Sequence, residues 1–292
     1  MSHRSISPAR GERKLHPKIA LAGACTALAL GVFGGSAAQA ASTLPTLTAT
    51  VSPTSITVSG ALQAGAVNIA GTATSGKEPA VVLVLLKPGV SVAELYAFLD
   101  SNKVTDEANL VDKYGSIVFD QEAGKGKPTE AQTVLVPGTY VALNGEGEKS
   151  TKWPRTSFTV AASPAAAALP AAQATIKTID FGFKGPSVLK VGELVRFENE
   201  GFLVHMDIAF PVKSKKAAKL AFKGLATGHE KGLEKLLAGP PVSFAGPVSS
   251  GAFQQATITE KPGWYVQACF MATQDGRPHT LIGMERIIKI VK

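Results

Sequence analysis

The chain of 292 residues carries 30 Lys and Arg against 22 Asp and Glu, a formal net charge of +8 at pH 7. Arg4, Arg10, Arg13, Lys14, Lys18 and Glu12 lie in the first 40 positions, which leaves 25 basic and 21 acidic residues, a net charge of about +4, for the remainder. That excess is mild, scattered and not interleaved with aromatics, which argues against a nucleic-acid partner.

The first 40 residues read as a secretory signal peptide. A basic start is followed by the apolar run Ile19 to Gly35 and by Ala38-Gln39-Ala40, a small-x-small cleavage site, so the mature chain is expected to begin at Ala41. The alternative is an uncleaved anchor, since Ile19 to Ala40 is nearly long enough to span a bilayer. No other stretch approaches that length, and no membrane span is expected after cleavage. The expected location is secreted and extracytoplasmic, in a periplasm or at a cell surface.

From Ala41 to about Gly60 the chain is rich in Thr, Ser and Ala and reads as an extended lead-in. Ala80 to Leu86 is a continuous apolar run of strand length, as in a buried sandwich strand. Ser91 with Glu94 forms a capping box for a helix whose face is Leu95, Phe98 and Leu99. Thr133–Val136, the turn Pro137-Gly138 and Thr139–Ala142 read as strand, turn, strand, and Phe158 to Val160 closes the unit. Residues 161–174, rich in Ala with Pro164 and Pro170, read as a linker.

The second unit opens with Ile179, Phe181 and Phe183 in alternation, followed by a strand over Leu194–Glu198. Val204 to Phe210 is another, with His205 near its start, and alternation points Met206 to the face opposite His205. Lys213 to Leu237 reads as one or two helices broken around Gly228 and Gly232. Ala252, Gln254, Ala256 and Ile258 alternate up to the Pro262-Gly263 turn. Trp264 to Cys269 is a strand, a loop carries His279 and Met284, and Ile287 to Val291 closes the domain.

The two units form a faint repeat. Leu86-Lys87-Pro88 parallels Phe210-Pro211, and Pro137-Gly138-Thr139-Tyr140-Val141 parallels Pro262-Gly263-Trp264-Tyr265-Val266, at offsets of 123 and 125 residues. The second offset sets Cys269 opposite Asn144, and residues 41–160 contain no His, Cys or Met. Metal chemistry is therefore expected only in the second copy.

Beyond residue 40, Cys269 is the only cysteine, which forbids an intrachain disulfide, and the histidines are His205, His229 and His279. An odd cysteine in an exported protein implies an intermolecular bridge, a reactive thiol or a metal ligand. Thiolate and thioether with imidazole suit copper and are a poor match for magnesium or calcium. Taken singly, Cys269 and Met284 are also good apolar fillers of a core, and His205 and His279 could be satisfied polar residues. His229, amid Glu230, Lys231 and Lys235, reads as solvated helix surface.

The segment Val195 to His205 resembles the strand and first-ligand segment of the cupredoxins, the plastocyanin and azurin family. Pro262-Gly263-Trp264-Tyr265 leading to Cys269, His279 and Met284 resembles their second-ligand loop. The resemblance implies an all-β fold of two Greek-key β-sandwich (cupredoxin-like) domains, each with a helical insertion. The domains would be residues 41–160, without ligands, and residues 175–292, with copper. It also implies one type 1 copper, with His205, Cys269 and His279 as trigonal ligands and Met284 as the weak axial one. Nine residues separate Cys269 from His279, more than in the best-known members, and the Asp275-Gly276 turn lets them bulge outward.

The expected function is electron transfer by an exported blue copper protein with a redox partner protein, not an enzyme. The alternative is a metal-free β-sandwich with a binding or structural role in the cell envelope. A copper oxidase or nitrite reductase needs extra histidines beside the cysteine, but Cys269 is flanked by Ala268 and Phe270 and no His-x-His occurs. A dinuclear copper centre needs two cysteines. No Ser-His-Asp set or phosphate loop stands out, and oligomeric state is not indicated.

Overall fold

A computed structural model describes residues 44–76, 79–101, 113–145, 149–229 and 231–292; the expected signal peptide lies outside them. The first half supplies β1 (Thr46–Val51), β2 (Ile56–Gly60), β3 (Gly65–Ala73), β4 (Ala80–Leu86), α1 (Val92–Asp100), β5 (Gly115–Glu122), β6 (Gly124–Lys125), β7 (Thr129–Leu135), β8 (Gly138–Leu143) and β9 (Arg155–Val160). The second supplies β10 (Ala174–Ile179), β11 (Gly182–Lys184), β12 (Val188–Lys190), β13 (Leu194–Asn199), β14 (His205–Val212), α2 (Lys215–Ala226), β15 (Val242–Val248), β16 (Phe253–Thr257), β17 (Gly263–Ala268) and β18 (Glu285–Val291).

The expected all-β architecture with a helical insertion in each half is what forms. In the first half one sheet runs β2-β1-β3-β7 and the other β5-β4-β8-β9. In the second, one runs β11-β10-β13-β16 and the other β12-β18-β17-β14-β15. The strand orders correspond except for β12, the extra edge strand of the second half, and each sandwich repeats a parallel pair, β1 with β3 and β10 with β13, among mostly antiparallel ones. Connections such as β13 to β14 and β16 to β17 cross between the two sheets, as Greek-key sandwiches require.

Helix insertion explains the unbroken apolar run in β4. One face, with Leu83, packs into the sandwich core; the other, with Val82 and Val84, is covered by Leu95 and Leu99 of α1. A strand buried on both faces needs no polar alternation. The capping box is present: Ser91 Oγ accepts from the Glu94 amide, and the Glu94 carboxylate accepts from the Ser91 amide. In the second half Ala217, Ala218, Ala221 and Leu225 of α2 cover Val212, Val266 and Ala268 in the same way. Fully burying a leucine such as Leu95 stabilises by about 1.5–3 kcal/mol.

One reading changes. The supposed lead-in forms β1 and β2, because Leu47, Ala49 and Val51 alternate into the core while the intervening Thr residues face outward. The Ala/Pro stretch is tied to both halves: Ala66 donates its amide to Ala167 (2.9 Å), and Gln255 donates its side-chain amide to Pro170 (3.0 Å). β16 pairs with β7 through Gln255 and Gln132, joining one sheet from each half into a single nine-stranded sheet.

The junction between halves is polar and buried. Ser249 donates its amide to the Ile117 carbonyl (2.9 Å), and Ser249 Oγ accepts from the Ile117 amide (2.8 Å). Gly246 lies so close to β5 that a Cβ there would sit 2.3 Å from the Asp120 carboxyl. Ser249→Ala leaves the buried Ile117 amide unpaired, at a cost of about 1–3 kcal/mol. The two halves should still unfold in one transition, with a lower midpoint in urea.

Candidate metal centre

Strand polarity gathers the four sulfur and imidazole residues at one end of the second sandwich. β17 runs antiparallel to both neighbours, with Ala268 opposite Ile208 and Glu285. The start of β14 (His205), the residue after β17 (Cys269) and the residue before β18 (Met284) therefore meet. Cys269 donates its amide to the Met284 carbonyl (3.0 Å), closing the ladder just beyond the last strand pair.

His205 is delivered by a pinned loop. The buried side chain of Asn199 donates to the carbonyls of Leu203 (2.7 Å) and Val248 (2.8 Å) and accepts from the Gly201 amide (2.9 Å). His279 is delivered by the long loop, which doubles back on itself. Ala272 bridges Pro278, Thr273 donates its amide to Arg277 (2.9 Å) and Gly276 donates to Thr273 (2.7 Å). Gly276 takes φ 78°, the left-handed region that glycine enters without penalty. Gln274 to Arg277 are exposed, and the chain returns where His279 donates its amide to Met271 (2.8 Å). The extra residues thus form an outward hairpin, as the Asp-Gly turn implied.

The ligand atoms of His205, Cys269 and His279 lie within 4.8 Å of one another, and all three residues are buried. Cys269 Sγ is 3.7 Å from His205 Nδ1 and 3.4 Å from His279 Nδ1. It also accepts the Met206 amide at 3.4 Å. Met284, fully buried, packs in one cluster with Cys269, Val204 and Met271. Two imidazoles, a cysteine sulfur and a thioether in a buried pocket fit a type 1 copper centre, and among the described residues no carboxylate, the donor harder ions prefer, joins the cluster.

His205 Nε2 donates to Asp180 Oδ1 at 3.1 Å, which leaves Nδ1 as the lone-pair nitrogen facing the thiol. Asp180 is held by the turn between β10 and β11, and Phe181 beside it sets its ring edge-on to His279, centroids 5.7 Å apart. His279 Nε2 is buried and unpaired among the described residues. Burial lowers the pKa of both histidines. For His205 the Asp180 carboxylate opposes the fall; for His279 the nearby His205 adds to it, bringing it down to about 4. Burial alone would raise the pKa of Asp180, but hydrogen bonds from Phe202, His205 and Leu203 bring it below the usual carboxylate range.

All four expected ligands come together; His229 is exposed at the end of α2, as expected. Met206 follows the expected alternation: β14 runs from buried His205 through half-buried Met206 to buried Asp207, and Met206 packs at the edge of the cluster that holds Val204, Cys269, Met271 and Met284. Asp180, Phe181 and Asn199 went unrecognised. Asn199 stood in the resembling segment, but Asp180 is 25 residues from His205 and carries no local signal.

The first half shows the same junction without donors. Val82 pairs with Leu143 as Ile208 pairs with Ala268, which superposes Asn144 on Cys269 and Ala80 on Met206. Asn144 Oδ1 accepts the Ala80 amide (3.1 Å) where Cys269 Sγ accepts that of Met206.

No family model and no curated protein matches the chain. Among solved structures, reduced auracyanin from Roseiflexus castenholzii aligns at 15% identity and TM-score 0.26, covering 40% of this chain and 95% of that one. Auracyanin A of Chloroflexus aurantiacus aligns at 13% and 0.25, covering 40% and 96%. Copper nitrite reductase from Nitrosomonas europaea aligns at 12% and 0.22, covering 85% and 93%.

A histidine whose folded pKa is depressed stabilises the fold above its unfolded value, near 6.5, and that stability is lost as pH falls through the folded value. The metal-free protein should therefore lose stability between about pH 6.5 and 4. His279→Gln should remove much of that loss, read from urea midpoints at pH 7 and 5.

Proposed function

We propose that this chain is an exported cupredoxin-type protein that holds one type 1 copper in its second half and passes single electrons to and from a partner protein. The observation that carries this is the convergence of His205, Cys269, His279 and Met284 in one pocket where each is 0% exposed. Donors that are all buried would keep a substrate away from the metal they hold, so the arrangement favours electron transfer over catalysis on the metal. Copper would supply a one-electron couple there, with sulfur suiting the reduced ion and imidazole the oxidised one.

The chain's own part is to keep the donors still. Cys269 is fixed at its amide and its sulfur, His205 at Nε2, and His279 at its amide. Fixed ligands limit rearrangement when the charge on the metal changes. Phe202 (91% exposed), Phe181 and Leu281 offer apolar surface beside the two histidines for a partner to approach. The leader-like first 40 residues support export. The first half is an internal contrast to the metal-free sandwich: the same junction, when it holds no metal donors, is plugged by an asparagine.

Cu(II) should bind one per chain and give an intense visible thiolate charge-transfer band. Cys269→Ser should abolish the band, and Met284→Leu should keep it while moving the potential, because the axial ligand tunes the couple. A colourless protein with two weakly held equivalents would leave the metal-free sandwich as the better account.

A further inference from the structure

We infer that Asp180 is a positioning residue of this centre, gripping His205 through Nε2 and, by its negative charge, favouring the oxidised metal. The inference rests on the copper reading above for its redox part only. β10 and β11 are joined by two residues, Asp180 and Phe181, with Ile179 opposite Gly182. The Asp180 carboxylate receives the Phe202 amide on both oxygens (3.0 and 3.1 Å), the Leu203 amide on Oδ1 (3.2 Å) and His205 Nε2 on Oδ1 (3.1 Å). One side chain thus staples the turn to the loop that delivers the ligand.

Three features show that the fit is tight. A Cβ on Gly201 would fall 2.5 Å from Asp180 Oδ1 and 2.7 Å from His205 Nε2, so only glycine leaves space for this contact. Phe181 takes φ 67°, a left-handed conformation that bulky residues disfavour. Its ring is seated on His279, so the turn that presents Asp180 is anchored on the second ligand histidine as well. With Nε2 bound to the carboxylate and Nδ1 facing Cys269 Sγ, the His205 ring has one tautomer and one orientation. A carboxylate on the far nitrogen of a ligand imidazole raises its basicity, and loss of such a partner costs about 10–100-fold in metal affinity.

Two variants separate charge from grip. Asp180→Asn keeps the shape and an acceptor oxygen; Asp180→Ala removes both. In the copper-loaded protein Asp180→Asn is expected to weaken Cu(II) relative to Cu(I) about tenfold, an upward potential shift of about 59 mV for one electron. In the metal-free protein, nitrogen-15 NMR should show His205 as the single Nε2-protonated tautomer, and Asp180→Ala should convert it to a mixture. An unchanged potential in Asp180→Asn, or an unchanged tautomer in Asp180→Ala, overturns the assignment. If the unsubstituted protein shows no thiolate band, the copper reading fails, and the tautomer measurement still decides whether Asp180 grips His205.

Discussion

At the end of β17 one residue ties three segments together. The amide of Cys269 is bonded to the Met284 carbonyl ahead of β18, and its sulfur receives the Met206 amide at the start of β14. Every other feature of the centre is arranged around that knot. His205 precedes Met206 and Met284 precedes β18, so two more donors are placed by continuity of the backbone alone. His279 needs an added device, the hairpin of residues 272–278, which returns the chain to Met271 after its detour.

The knot belongs to the fold rather than to the metal. In the first half Asn144 donates its amide to Pro154 (3.0 Å) and receives that of Ala80, making the same two connections with an amide oxygen in place of sulfur. The tyrosines of the repeated Pro-Gly-x-Tyr stretches also act alike: Tyr140 donates its hydroxyl to Val136 (2.9 Å), and Tyr265 donates to Lys261 (2.7 Å). Each locks the turn before its strand. The junction thus makes the same connections in both halves, whether or not its side chains are metal donors.

Burial gives the site its character and carries a cost. Removing two imidazoles from water disfavours their charged forms, and a buried ring nitrogen without a partner loses its hydration uncompensated. Asp180 meets that cost for His205; His279 Nε2 has no hydrogen-bond partner among the described residues. The two histidines therefore differ in environment although they face the same sulfur. Beneath them, α2 seals the outer face of β14 and β17, so the strands that carry the donors are packed on both sides.

Composition and spacing determined much of this. So few Cys, His and Met remain beyond residue 40 that a donor set in ligand order was visible directly, and the Pro-Gly-x-Tyr pair exposed the repeat. Capping chemistry at Ser91 and the Lys, Ala and Leu pattern of residues 213–237 marked the helices, because those signals are local. β1 and β2 escaped notice because their outward faces are threonine and serine and only contact with the core distinguishes them from a linker. Tertiary structure alone decided that Asp180 reaches His205. That contact depends on a hairpin meeting a loop 22 residues further on, and distance in space is not written in a neighbouring residue.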